Sequence, residues 1–274
     1  MRAICPKCNS THLRKKGIVY SRSYETNMQR YACHTCKKQF QVPRDSPKVD
    51  LPKILIFDIE TAPMEVYVWG LYKQFIPHTN IIKDKSGEEK SWFVLSWAAK
   101  WLYDEKVVSD IVTPKESIAR DDKRILESIW KLLDEADIVI GHNGDRFDLR
   151  KLNARFIDND IKPPSPFKTI DTLKVARREF AFVSYKQDYL TKHFKLEQKL
   201  STNFQLWVDC IHGNQEQLNT MEEYNRHDVM GLEEVYLKLR PYIKNHPNLG
   251  VLMDGDVCPN CACEFLDETD SEYF

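Results

Sequence analysis

Two C-x-x-C pairs, Cys5-Pro6-Lys7-Cys8 and Cys33-His34-Thr35-Cys36, lie 24 residues apart near the start of the chain. No other feature constrains the local fold as strongly. Each pair offers two thiolates to one ion, and two pairs complete a closed tetrahedral site whose usual occupant is zinc. Between the pairs, Ile18-Val19-Tyr20 and Gln29-Arg30-Tyr31-Ala32 predict the two strands of a hairpin. A module this small has almost no apolar core, so metal binding would supply its folding energy. Redox-active cysteine pairs are the alternative for the same spacing.

Charge divides the chain. Residues 1–50 carry eleven Lys and Arg against three Asp and Glu, whereas the rest carries 29 against 38. A small basic module is joined to an acidic body, and nucleic acid is the natural partner of the basic part. Pro43, Pro47 and Pro52 among charged residues predict an extended linker. The expected organisation is a zinc ribbon over 1–42, a linker over 43–52, a main domain over 53–247 and a cysteine-containing acidic tail over 248–274. Met1–Cys5 lacks the apolar core of a signal peptide, and no apolar run reaches membrane-spanning length. These features predict a cytoplasmic protein with reduced thiols and no membrane partner, acting in the host cytoplasm if the source is a phage.

The main domain opens with Ile54-Leu55-Ile56-Phe57-Asp58-Ile59-Glu60, a short β-branched run that predicts a buried strand ended by Pro63. Val66–Tyr72 and Trp92–Trp101 predict further strands of one sheet, with a charged loop at 83–90. Residues 121–136 place Ile125, Ile129, Leu132 and Leu133 on one helical face. Ile138-Val139-Ile140 predicts a second buried strand, and residues 147–159, 171–178, 188–194 and 215–239 predict helices. Interleaved strands and helices indicate an α/β fold with a mixed sheet flanked by helices.

Three carboxylate groupings stand out within this pattern. Asp58 and Glu60 alternate along one strand and so point the same way. An ionised pair at the end of a buried strand is costly unless it meets a cation, although a strand end reaching solvent is the commoner case. Asn143-Gly144-Asp145-Arg146-Phe147-Asp148 places a carboxylate at a helix start, with Phe147 expected to anchor in the core. Acids in a first helical turn are also ordinary there. Tyr224 and Asp228 are four apart on a helix and share a face, as any solvent-facing pair would.

Taken in order, these groupings resemble the three exonuclease motifs of the DEDD superfamily, which has the RNase H-like fold. The resemblance covers roughly residues 53–240. Phe57-Asp58-Ile59-Glu60-Thr61 resembles the first motif, Asn143-Gly144-x-x-Phe147-Asp148 the second, and Tyr224-x-x-x-Asp228 the third. It implies two divalent ions, Mg²⁺ or Mn²⁺, held by Asp58, Glu60, Asp148 and Asp228. It also implies a catalytic set of these four acids plus Tyr224. The superfamily's histidine branch carries its His five positions before the last Asp, where this chain has Glu223. Its tyrosine branch carries a Tyr four before, where this chain has Tyr224, so the tyrosine branch is the one resembled. Asp145 is the alternative acid of the second motif. Ile170-Asp171-Thr172-Leu173 and Trp207-x-x-Cys210-Ile211-x-Gly213 are similar to segments of phage and viral members.

The N-terminal segment resembles zinc ribbons of transposase-like and phage proteins, many of which bind DNA. By that likeness Arg14, Lys15, Lys16, Arg22 and Arg30 are candidate phosphate contacts, with Tyr20, Tyr24 and Tyr31 available for stacking and Asn143 a further contact in the main domain. Structural or protein-docking use of the ribbon is the alternative. Near the C-terminus, Cys258, Cys261 and Cys263 offer three ligands of a second zinc, with Cys210 or His212 as the fourth or across a dimer; a metal-free remnant is the plainer alternative. The tail after them is acidic and offers a docking tip for a replication or repair protein.

The leading expectation is a two-metal 3′→5′ exonuclease acting on single-stranded DNA with help from the ribbon. An RNA 3′ exonuclease and a structure-selective endonuclease use the same chemistry. A catalytically silent zinc-ribbon DNA-binding or recruiting protein is the non-enzyme alternative, and the complete acid set argues against it.

Overall fold

The computed structural model describes residues 4–21, 26–43, 52–72, 75–196 and 202–249. The chain divides into two compact units, with boundaries after residues 51 and 249.

The N-terminal unit is a three-stranded antiparallel sheet, β1 (Leu13–Ser21), β2 (Thr26–Cys33) and β3 (Gln39–Pro43), in that order. The expected hairpin therefore gains a third strand. A register shift between Lys15 and Ile18 marks a bulge, and Gly17 sits in it at φ +99°, where a side chain would be strained. Tyr31 of β2 stacks on its cross-strand partner Phe40 of β3 with ring centroids 5.6 Å apart.

The larger unit spans Pro52–Leu249. Its sheet comprises β4 (Ile54–Thr61), β5 (Val94–Trp101), β6 (Val108–Ile111), β7 (Ile138–Gly141) and β8 (Lys168–Asp171), in the order β6-β5-β4-β7-β8. β4, β5 and β6 pair antiparallel, while β4, β7 and β8 run parallel. The mixed sheet expected from the sequence is present. The helices are α1 (Pro114–Ala119), α2 (Lys123–Glu135), α3 (Asp148–Asp158), α4 (Thr172–Glu179), α5 (Gln187–His193), α6 (Phe204–Ile211) and α7 (Gln215–Leu239).

Neighbouring residues on β5 show which helices cover which face. Ser96 bonds to Asn225 of α7, whereas the Trp97 indole donates to the Ile125 carbonyl of α2 at 2.8 Å. Successive strand side chains point to opposite faces, so α7 and α2 sandwich the sheet. Seven of the eight β5 residues are accordingly buried. Leu55, Phe57 and Ile59 join Trp97, Ile125, Ile129 and Leu133 in the α2-side core, which leaves Asp58 and Glu60 on the α7 side.

Two anchors fix this arrangement. Asp122, fully buried, accepts from Val94 N–H at 2.8 Å and from two nitrogens of Arg155 at 2.7 and 2.8 Å, tying α2 to β5 and α3. The long helix α7 starts behind Gly213, at φ +75°, where a Cβ would come within 2.9 Å of the Pro114 carbonyl. Asn214 then caps it by accepting from the Glu216 and Gln217 amides. Pro241 sits just beyond its end.

Two local expectations are corrected. Residues 66–72 form no strand of the sheet: only Val66 pairs, in an isolated bridge to Ile81, and the segment is largely exposed. Its aromatic and β-branched composition favours a strand only where a ladder partner exists. Phe147 does not enter the core but is 39% exposed, because Leu152 and Phe156 fill the apolar face of α3.

Candidate active site and cysteine centre

Within the N-terminal unit the four cysteines converge. Cys5 and Cys36 sulfurs lie 3.4 Å apart and those of Cys8 and Cys33 3.5 Å apart, with all four ligand atoms within 4.8 Å of one another. The two knuckles repeat the same backbone pattern. Asn9 N–H donates to Cys5 O and Lys37 N–H to Cys33 O, while Cys5 N–H donates to Ser10 O and Cys33 N–H to Lys38 O. Asn9 and Lys37, which follow each pair, both have positive φ, 52° and 63°. Such turns aim amide N–H groups at the first sulfur of each pair. The Cys36 amide, helped by that of Thr35, holds the Cys33 thiol down at about 6. Cys5 is lowered as well, the Lys7 and Cys8 amides outweighing its desolvation. Four preorganised sulfurs, two of them biased toward thiolate, suit a closed tetrahedral metal site, and the unit fits a zinc ribbon.

Around this centre Arg14, Lys15 and Lys16 on β1 and Arg30 on β2 are exposed. Arg22 and Tyr24 lie outside the described residues, as do Cys258, Cys261 and Cys263 of the second cysteine group. Cys210 is fully buried in the apolar core of the larger unit. Burial, and then the charges of Asp209 and Glu60, push its thiol up to about 12, which sets it against a thiolate role.

In the larger unit, Asp58 and Glu60 from β4 meet Asp228 from α7, with one carboxylate oxygen of each within 4.8 Å of the others. Neighbours hold two of these carboxylates and the helical turn that carries the third. Asn225 Nδ2 donates to Asp58 Oδ2 at 2.8 Å, and Ser96 Oγ donates to Asn225 Oδ1 at 3.2 Å, which fixes the amide orientation. Trp207 Nε1–H donates to Glu60 Oε2 at 3.2 Å. Gln187 Nε2 donates to the Asp228 carbonyl at 2.7 Å, bracing α7 at that turn. Tyr224 lies one turn before Asp228, is buried, and meets Trp207 edge-on with ring centroids 5.9 Å apart. Glu223 points outward instead.

An acidic pair, Asp148 and Asp171, lies beside this cluster of three. β7 ends in the turn Gly141–Gly144, where a Cβ on Gly141 would come to 3.0 Å from Gly144 Cα, so a side chain at either position would crowd the turn. Asn143 adopts φ 68° there, and its N–H donates to Asp171 Oδ1 at 3.0 Å. Asp148 follows at the start of α3, buried, accepting from Ile59 N–H at 3.2 Å. It thus borders the cluster of Asp58, Glu60 and Asp228 through the β4 backbone rather than forming part of it. Desolvation pushes its carboxyl up to about 7; the Ile59 amide opposes this and the charge of Asp171 adds to it. Asp145, the alternative acid, is turned away into an ion pair with Lys174 at 2.5 Å.

Asp171 had no chemical role in the sequence reading. Its Oδ1 caps α4 by accepting from the Leu173 and Lys174 amides, and its buried Oδ2 has no hydrogen-bond partner. Trp207 and Asn225 were also missed as supports of the acids. The available signals were the family-like segments that contain Asp171 and Trp207, which carried no chemical assignment, and the position of Asn225 directly after Tyr224. Three converging carboxylates, a buried Asp148 and an orphaned acidic oxygen form an all-oxygen donor set that suits hard divalent cations.

A profile of the RNase_H superfamily matches residues 99–240, more than half of the 274-residue chain. The chain belongs to the RNase_H superfamily. No curated protein gives a match. The RNase_H superfamily match includes Asp148, Asp171, Tyr224 and Asp228, while Asp58 and Glu60 on β4 precede it. Membership of the RNase_H superfamily supports nucleic-acid hydrolysis as the general activity, with divalent metals as the typical cofactors. Among the described residues no helix is long and apolar enough to cross a membrane.

Proposed function

We propose that the chain is a two-metal 3′→5′ exonuclease of the tyrosine type, acting on single-stranded DNA. The observation that carries this reading is the convergence of Asp58, Glu60 and Asp228, with buried Tyr224 one turn before Asp228 on the same helix. Asp58, Glu60 and Asp228 would hold the divalent cations, Mg²⁺ or Mn²⁺, and Asp148, which borders this cluster through the Ile59 amide, would be the fourth ligand on moving toward a bound ion. Bound cations supply Lewis acidity and neutralise charge at the phosphodiester. The protein's own groups do the positioning. The Tyr224 hydroxyl orients the attacking water, and Trp207 restricts that hydroxyl by packing against its ring. Asn225 and Trp207 fix the carboxylates of Asp58 and Glu60, so that neither rotates when the phosphate arrives.

The ribbon contributes affinity. Arg14, Lys15, Lys16 and Arg30 contact phosphates, and Asn143 contacts the strand near the acids. The body contains four carboxylates that repel a phosphate backbone, so a separate basic module is a direct way to retain substrate.

The test uses single-stranded DNA and RNA of matched sequence, labelled at the 5′ end and incubated with Mg²⁺, Mn²⁺ or EDTA. A metal-dependent ladder that shortens from the 3′ end on DNA supports the reading. A single internal cut, or intact strands despite tight binding, overturns it.

A further inference from the structure

β4 ends at Thr61, and the Ala62 amide donates to the Phe93 carbonyl at 2.8 Å, so β4 and β5 are still adjacent there. A short hairpin would suffice to join them. The chain instead makes an excursion over residues 62–92, leaving the sheet at the end of β4 that carries Glu60.

The neck of the excursion is firmly tied. Glu65 N–H donates to Lys90 O and Ile82 N–H to Glu65 O, while Tyr67 N–H and Asn80 Nδ2 exchange bonds with the Asn80 and Tyr67 carbonyls. The Glu65 carboxylate pairs with Lys90 at 2.8 Å and with Arg120, which also donates to the Ser91 carbonyl at 2.6 Å. Beyond this neck the tip turns its large side chains outward. Trp69 and Leu71 are each 98% exposed, Tyr72 92%, Phe75 91% and Tyr67 71%. Exposed apolar surface of this density marks an interaction site in a soluble fold.

Charge selects the partner. The excursion carries four acids: Glu65 is committed to Lys90 and Arg120, and Asp84, Glu88 and Glu89 lie in the turn at 83–89, so residues 66–83 themselves contain none. The segment that bears the rings thus has no acid of its own, on a body that is otherwise acidic. A phosphate backbone can approach here without repulsion, and every base has a face that stacks on an aromatic ring. The general activity of the superfamily supplies nucleic acid as the ligand at hand. We infer that the tip at Tyr67, Trp69, Tyr72 and Phe75 is a stacking platform for a single strand of nucleic acid, which it holds on its way to the acid cluster. The route to the acids rests on the proposed nuclease reading; the binding itself does not.

The experiment measures binding of a labelled oligodeoxythymidylate to the full chain by fluorescence anisotropy, in buffer without added Mg²⁺ or Mn²⁺ and without chelator, so that cleavage does not intervene and the cysteine centre keeps its metal. Trp69→Ala and Tyr72→Ala are each expected to weaken binding roughly tenfold or more, the effect of losing one stacked ring. Trp69→Phe, which keeps a ring, should restore affinity to within about twofold. Strand addition should also quench the tryptophan emission of the parent chain more than that of Trp69→Phe. Melting temperatures equal to the parent's confirm that the exposed tip was altered without harm to the fold. Undiminished affinity in the Trp69→Ala, Tyr72→Ala double variant overturns the platform. So does a loss of self-association in sedimentation with strand affinity retained, which would assign the tip to a protein contact. If the strand binds through the tip but stays uncut with Mg²⁺ and Mn²⁺, the nuclease reading fails and the platform stands.

Discussion

Asn225 donates to Asp58 across 2.8 Å, and Ser96 holds the same amide from its other end. The contact joins a strand to a helix 167 residues away in sequence and sets the direction of one acid of the cluster. Asn225→Ala should therefore lower metal affinity or cleavage by about 10- to 100-fold, the usual cost of losing a group that orients a ligand. Mn²⁺ titration by calorimetry, beside cleavage rates, reads this directly. Parent-like values in both would show that Asp58 needs no such support.

Removing an acid should act differently. Asp228→Asn keeps the size of the side chain but removes a charge from the cluster. Cleavage should fall by at least about a hundredfold, while anisotropy with single-stranded DNA in EDTA stays close to the parent value. Full cleavage by this variant would remove Asp228 from the chemistry.

Asp148 gives a pH signature. Burial raises its carboxyl to about 7 in the folded chain, against an ordinary value of about 3.9. A carboxyl shifted upward stabilises the fold where it is protonated, so its contribution is present in acid and is lost as pH rises from about 4 to about 7. In EDTA the parent should therefore melt lower at pH 8 than at pH 5 by more than Asp148→Asn does. Added Mn²⁺ should raise the parent's melting point more at pH 8, where the carboxylate is ionised. Parallel melting curves for parent and variant across this window would sink the assignment.

The anchor between α2 and α3 can be tested apart from function. Arg155→Ala leaves Asp122 fully buried without its cation and should cost about 3–5 kcal/mol in urea unfolding. A cost below about 1 kcal/mol would mean that water reaches Asp122 easily.

The cysteine centre predicts stoichiometry. The full chain should carry zinc in elemental analysis, and Cys33→Ser with Cys36→Ser should lose one equivalent. The same change should weaken DNA binding and flatten its salt dependence, since phosphate contacts from Arg14, Lys15, Lys16 and Arg30 need a folded sheet. Unchanged affinity and salt slope would leave the ribbon a purely structural piece.

Much of the frame was legible in the sequence because its signals are local. The β4 run, the two C-x-x-C pairs and the inward face shared by Tyr224 and Asp228 each depend on spacing within a few residues. β6, α6 and the third ribbon strand were not legible, since they are short and their character comes from neighbours distant in sequence. The same holds for Trp207, Asn225 and Asp171, whose roles appear only once α6 and α7 are docked on the sheet and β8 is paired with β7. Residues 66–72 misled for the opposite reason: their composition is that of a strand, yet only Val66 finds a partner. Phe147 misled because helix-start residues preceded by a tight turn need not face the core.

The acids that meet at the cluster come from the first strand of the larger unit and from its last long helix. A half-synthesised copy, still without α7, has no assembled centre, and neither does one in which that helix has come loose. On the proposed nuclease reading, cleavage therefore waits until the whole of the larger unit has folded, because its two ends in sequence must meet before a cation can be held.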